Sequence, residues 1–469
     1  MPNLNHSQKD AIGLNFVLNR LAPRSPYGTQ AARQAAAHGP GSAKDLNHCF
    51  DNMENVQKLA QNNSIPLEKI TNLLAHFKNI RTTIEKCVNT PLGEVELFEL
   101  KDFLLHSERL IPLFDNIKRN FIGISFIPTT LALNILDPHN KRIAPFAIED
   151  DASPDLSAIR AKKAQIEAAI QKEPDSQSKN DLLHARTGIV AQEDAQEMLV
   201  MADMTRRLRQ HLPAIRANMD ALGLLDLTIA KAMLAQKMGA VRPKISTAHI
   251  MLKNMHNPMV AQALAPKAFT KVSLHLGPGT TIITGANMGG KSVAIKTAVL
   301  NIALCRLGFF VFAEYAEIPL LDGLCLLSDD LQDALKGLSS FGAEITWLNK
   351  TIALSKQQFL FIALDELARA TNPAEGAAIV RATAAYLAQT GCICLMSTHY
   401  DRAAGPGMRH YQVAGLAPNA DNPANIGDYM DYNLIEVAAA TAAPKDALRI
   451  CKLLGLAPDL LAKIEAELE

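Results

Sequence analysis

The sequence carries no excess charge of either sign: Lys and Arg together number 47, as do Asp and Glu, in 469 residues. Residues 1–240 hold 28 basic against 27 acidic side chains, and the remainder 19 against 20, so neither half is a basic domain. The usual electrostatic footprint of a dedicated nucleic-acid binder is therefore missing, and only a local basic stripe could supply one. Seven scattered cysteines, an odd number, make no disulfide framework and point to a reducing interior. The close pair Cys392 and Cys394 has no second pair or His cluster to complete a zinc site; it reads as two buried small residues on a strand. Residues 1–10 are polar and lack the apolar core of a secretory signal. The most apolar stretch, 298–312, is interrupted by Asn301 and Arg306 and is too short to span a bilayer. No internal repeat stands out. A cytoplasmic protein without membrane attachment is the expectation.

What is present is length and a change of texture. A chain of 469 residues exceeds one compact core, and 48% hydrophobic with 20% charged content suits a folded chain of two or more domains. Residues 1–44, with an Ala-, Gly- and Pro-rich stretch around the turn signal Pro26-Tyr-Gly28, read as an irregular lead-in. From residue 45 to 240 the pattern is helical. Ile70, Leu73, Leu74, Phe77, Ile80, Ile84 and Val88 recur at three- and four-residue steps, which predicts one long amphipathic helix. Ser153-Pro-Asp155 predicts a helix start, and a polar break is expected near 173–179. From 241 to 437 short apolar runs (281–284, 309–312, 359–364 and 392–396) alternate with helix-length segments, predicting an α/β domain with a largely parallel sheet. Residues 438–469 read as an Ala-rich lead into a pair of tail helices.

The chemistry concentrates in the α/β segment. Gly285-Ala286-Asn287-Met288-Gly289-Gly290-Lys291-Ser292 fits the phosphate-loop spacing Gly-x4-Gly-Lys-Ser, after an apolar strand and before the helical pattern that opens at Val293. Glycines let backbone N–H groups converge on phosphate oxygens, and the helix N-terminus adds positive potential. Lys291 would reach the outer phosphates of ATP, and the Ser292 hydroxyl would ligate Mg2+. A later apolar strand, 358–364, ends in Asp365-Glu366. Asp365 would hold Mg2+ through water, and Glu366 would polarise the attacking water. His399, after the strand 392–396, sits where open α/β sheets bind ligands and could sense the outer phosphate.

The loop resembles the Gly-Pro-Asn-Met-Gly-Gly-Lys-Ser sequence of the MutS family of ABC-type ATPases. Residues 308–313 look like that family's next strand. Ser339-Ser340-Phe341-Gly342-Ala343-Glu344 resembles its Ser-Thr-Phe-x-x-Glu signature, residues 365–371 its Asp-Glu-x-Gly-Arg-Gly-Thr, and residues 398–400 its Thr-His-Tyr. Residues 148–160, 225–243 and 447–464 are fainter matches to its core segment, lever helix and tail helices. The resemblance implies an α/β phosphate-loop domain of ABC type preceded by a mainly α-helical core and lever domain. It also implies a dimer, homo- or heteromeric, with composite sites. Lys291, Ser292, Asp365, Glu366 and His399 of one subunit would hold ATP and Mg2+, His256 would lie near the adenine, and Ser339 and Ser340 would act in trans. ATP-driven closure would move the helical half.

Departures from the family pattern include Ala286 for Pro, Val293 for Thr, and Ala368 and Ala370 for the glycines around Arg369. Mismatch sensors of the family wedge a Phe-x-Glu ring into DNA; the one such triplet here, residues 312–314, reads as structural, and neither a sensor nor a nuclease domain is expected. Two functions remain. One is a DNA-binding ATPase clamp, for which Arg206, Arg207, Arg209 and Arg216 are the best phosphate contacts against a neutral background. The other is an ATP-driven remodelling factor, because residues 285–293, 328–333 and 338–344 resemble a MutS-like branch that reactivates a cobalamin- and pyridoxal-phosphate-dependent lysine aminomutase. The balanced charge favours the second reading, with a client protein as partner. No Asp-x-His-x-x-Gly motif suggests that cobalamin binds this chain itself.

Overall fold

The computed structural model describes residues 4–285, 289–328, 340–369, 371–416, 429–439, 441 and 447–468. Two compact units divide the chain: one comprises residues 1–21, 35–53 and 231–469, the other 22–34 and 54–230.

The first unit is built on strands β1 (Lys244–Ser246), β2 (Ile250–Met255), β3 (Val272–Leu276), β4 (Gly279–Thr284), β5 (Tyr315–Pro319), β6 (Gly323–Leu327), β7 (Leu360–Asp365), β8 (Ile393–Ser397), β9 (Arg409–Leu416) and β10 (Met430–Val437). They form a four-stranded sheet of order β1-β5-β2-β3 and a six-stranded sheet of order β10-β9-β4-β8-β7-β6. In the larger sheet β9, β4, β8, β7 and β6 run parallel, and only β10 is antiparallel. Central strands β7 and β8 are apolar and buried up to their last residues, Asp365 and Ser397, as parallel strands covered by helices must be. Cys392 and Cys394 are buried there, and burial pushes the Cys394 thiol up to about 12. Among the described residues no His/Cys/Asp/Glu group could hold a metal by itself, and no helix is long and apolar enough to cross a membrane.

The expected strand at 309–312 is not formed. Only Val311 makes a bridge, to Val241, because Asn301 Oδ1 accepts the Phe312 N–H at 2.6 Å and turns the chain before β5. Phe312 is buried, so the Phe-x-Glu triplet is structural.

Residues 1–44 are also more ordered than expected. Helices span His6–Ala11, Leu14–Leu18 and Pro26–Gln34. The first two belong to the α/β unit: Gln8 Nε2 donates to Leu326 O on β6 (2.7 Å), and Asn257 Nδ2 donates to Ile12 O (2.9 Å). Residues 35–53 also belong to it, with His38 N–H bonded to Arg306 O (2.6 Å).

The helical unit contains the third of these helices. Buried Asp226 accepts hydrogen bonds from Arg24 N (2.9 Å), Ser25 N (2.6 Å) and Ser25 Oγ (2.6 Å), so a carboxylate distant in sequence anchors Ser25, whose Oγ accepts the Gly28 N–H (3.0 Å) and caps the helix that Pro26 opens. The single helix expected over 70–88 is two, Ser64–Leu74 and Arg81–Asn89. At the break the Tyr27 hydroxyl donates to Lys78 O (2.9 Å) and accepts from Ile80 N (3.2 Å), replacing helical partners. Tyr27 and Phe77 each pack edge-on against Phe103, at 5.9 and 5.4 Å, to centre the core. Helices Pro154–Lys172 and Ser176–Leu208 form a long antiparallel pair, started by Ser153 Oγ, which accepts the Leu156 N–H. Few apolar residues lie between them. Arg160 instead bonds Glu193 (3.1 Å) and Glu197 (2.7 Å), and Lys163 pairs with Glu193. Tail helices Ala447–Leu453 and Pro458–Leu468 occur as expected, joined by a 2.5 Å contact between Lys452 and Glu465.

Candidate functional site

Strand order brings the chemistry to one edge. β4, β8 and β7 are parallel neighbours, so the loop leaving β4, Asp365 at the end of β7 and Ser397 at the end of β8 meet at their carboxyl ends. Gly285 (φ 135°) and Gly290 (φ 85°) adopt backbone angles that side chains resist, and Gly290 caps the helix Lys291–Arg306. A Cβ on Gly285 would lie 3.0 Å from Val413, and one on Gly290 3.1 Å from the Tyr432 ring.

Within the site Lys291 is buried. Its Nζ donates to Gly285 O at 2.9 Å and lies 3.6 Å from Glu366 Oε1. Burial lowers the Lys291 pKa, opposed by the Glu366 carboxylate. Ser292 Oγ and Ser397 Oγ both donate to Asp365 Oδ1, at 3.0 and 2.6 Å. Burial raises the Asp365 pKa, and these two hydroxyls oppose the rise. Arg369 stands 3.5 Å from Glu366 on its other side.

These residues open onto a cavity of about 530 Å³. One wall is polar, with Gly289, Lys291, Ser292, Asp365, Glu366 and Arg369; the other is apolar, with Val260, Leu264, Phe269, Val272 and Tyr432. Size and division suit a nucleotide, with phosphates toward the lysine and the base toward the apolar wall. A Mg2+ ion fits the donor set: a buried carboxylate and a hydroxyl supply two oxygens, and such sites take the rest from phosphate and water.

Of the residues expected here, Gly289, Gly290, Lys291, Ser292, Val293, Asp365 and Glu366 line the cavity. His256 does not. It is half-buried, its ring 5.6 Å from Phe312, with burial lowering its pKa. His399 is not among the lining residues either; it is exposed, its ring 4.2 Å from that of Tyr400. Ala286, Asn287, Met288, Ser339 and Ala370 lie outside the described residues. Ser340 opens the helix Ser340–Ser355, but its side chain also lies outside them. Sequence reasoning missed Ser397, Phe269 and Tyr432. Ser397 becomes visible only once β7 and β8 pair in register, and Tyr432 is aimed at the loop by a bulge between Asp431 and Leu434.

Residues 281–455 match MutS domain V. That span takes in β4, the loop, the cavity's polar wall and the strands through β10. The similarity extends beyond domain V. The chain is 25% identical over 460 residues to a protein of Leuconostoc mesenteroides named endonuclease MutS2, covering 85% of this chain and 56% of that protein. It is 33% identical over 183 residues to the DNA mismatch repair protein MutS of an Exiguobacterium species, and 34% identical over 198 residues to the DNA mismatch repair protein MSH3 of Phaeosphaeria nodorum. These alignments cover 38% and 41% of this chain, and 22% and 17% of the relatives. The chain thus spans about half of the MutS2 protein's length and about a fifth of the other two.

Proposed function

We propose that this chain is a MutS-type ATPase that hydrolyses ATP with Mg2+ and acts, as a dimer, on DNA. The observation that carries the reading is the constellation of buried Lys291 with half-buried Ser292, Asp365 and Glu366 at one sheet edge of a segment matching domain V. Lys291 would leave Gly285 O to meet phosphate oxygens. Ser292 and Asp365 would hold Mg2+, which supplies neutralisation of phosphate charge. Glu366 would orient and deprotonate the attacking water. His399 as a sensor and Ser339 and Ser340 as groups acting in trans remain part of the proposal.

The balanced charge of residues 1–240 motivates the aminomutase-reactivating reading, but the similarity to MutS, MutS2 and MSH3 proteins favours DNA over it. The test is a salt titration of binding to duplex, branched and single-stranded DNA. On the DNA reading log K falls linearly with log salt, by about 0.9 per phosphate contact on duplex. Salt-independent or absent binding by a chain that still hydrolyses ATP would overturn the DNA half of the proposal.

A further inference from the structure

We infer that Tyr400 is a positioning residue for hydrolysis: its hydroxyl clamps a strained turn that aims Glu366 at the cavity. The inference rests on the ATPase reading above and adds a residue to it.

Glu366 (φ 54°) and Ala368 (φ 60°) both adopt the left-handed backbone that non-glycine residues avoid. Such a turn persists only where its surroundings over-determine it. Here they do. The Tyr400 hydroxyl donates to Ala368 O at 3.2 Å, and Glu344 Oε2 accepts the Ala368 N–H at 3.0 Å. Ala368 is fully buried between them. Upstream, the Glu366 N–H reaches Ser397 Oγ at 3.1 Å.

Tyr400 is itself fixed. Its N–H donates to Thr398 Oγ1 (3.1 Å), while Thr398 N–H donates to Ile283 O on β4 (3.0 Å). Room for its hydroxyl exists because residue 376, on the helix Pro373–Leu387, is glycine. A Cβ there would lie 2.2 Å from the Tyr400 oxygen and 3.1 Å from Ala368 O. Three separate elements therefore converge on one buried residue, Ala368, two positions beyond the carboxylate that sits 3.6 Å from Lys291. A carboxylate that must orient water tolerates little displacement, so the clamp should govern turnover rather than ATP binding.

The test compares Tyr400→Phe, Gly376→Ala and the double variant Tyr400→Phe with Ala368→Gly. Tyr400→Phe keeps the ring beside His399 and loses only the hydroxyl. It should lower kcat about tenfold, with KM for ATP within about twofold and the Tm nearly unchanged. Gly376→Ala leaves the hydroxyl present but crowded, and should give the same kcat-selective loss; it carries the test if Tyr400→Phe folds poorly. Ala368→Gly removes the strain that the clamp opposes and should restore most of the lost kcat in the double variant. A Tyr400→Phe kcat within twofold of wild type, or a loss matched in KM and Tm and not rescued by Ala368→Gly, would overturn the inference while leaving the ATPase reading intact. Wild-type protein without turnover would overturn both.

Discussion

Two cations flank the Glu366 carboxylate, and the buried one, Lys291, is bonded to Gly285 O in the same loop. A buried ammonium so placed is costly unless it serves an anion. Lys291→Ala is therefore expected to weaken ATP binding by at least about tenfold without lowering the Tm, measured by calorimetry beside thermal melts. A second buried lysine follows a different logic. Lys231 donates to Leu307 O (2.7 Å) and Gly308 O (3.3 Å) and lies 4.3 Å from the centre of the Phe309 ring, with His38 and Cys49 as titratable neighbours. Burial lowers its pKa from 10.5 to about 8. Between those values the unfolded chain holds a proton that the folded chain has released, so this group's contribution to stability rises with pH across that window. Denaturant melts should show the stability of wild type relative to Lys231→Met increasing from about pH 8 to about 10.5; a flat difference would contradict the assignment. Lys291 and Ser292 were legible because spacing within a strand–loop–helix unit fixes them, and Asp365 and Glu366 because they end a later apolar strand. Ser397 and Tyr432 depend on how distant strands pair, and spacing carries no such information.

Helices show the same limit one scale up. The apolar pattern continues through Phe77 and Ile80, so periodicity joins two helices that the Tyr27 hydroxyl separates from a position 53 residues before Ile80. Burial pushes the Tyr27 pKa up to about 12, consistent with a neutral hydroxyl serving two backbone groups. Tyr27→Phe leaves Lys78 O and Ile80 N without this partner and should cost about 1–3 kcal/mol in a denaturant melt. Nearby, Gly28 leaves no space for a methyl group: its Cβ would fall 2.2 Å from Asp226 Oδ2. Gly28→Ala should therefore displace Asp226 from the Ser25 cap that it holds and destabilise the helical unit by more than about 1 kcal/mol. The helix at Pro26 was missed although Ser25 caps it locally; what no local pattern announces is Asp226, about two hundred residues away in sequence, which fixes that serine. The helix starting at Pro154, likewise capped by its own serine, Ser153, was legible.

For the whole molecule, even charge is informative in what it leaves for DNA. The best basic stretch is partly engaged: Arg206 and Arg207 share Asp203, and Arg209 Nε donates to Cys87 O at 2.9 Å. A neutral residue 1–240 segment whose best basic stretch is partly engaged predicts a shallow salt dependence of DNA binding, well short of the tenth-power slope of strongly basic repressors. The largely parallel character of the sheet and the change from helical to α/β texture were readable from the sequence, because periodicity and turn residues are local signals; the strand order was not. Residues 4–21 and 35–53 belong to the α/β unit through long-range contacts, such as Gln8 to Leu326 O and Phe50 to Phe310, that no local pattern announces. The account turns on Glu366 as the base of an ATPase. The most direct measurement is steady-state hydrolysis of ATP with Mg2+ by wild type and by Glu366→Gln, with ATP affinity followed in parallel. The account predicts affinity within about twofold and turnover reduced at least about a hundredfold. Turnover by Glu366→Gln close to that of wild type would contradict it.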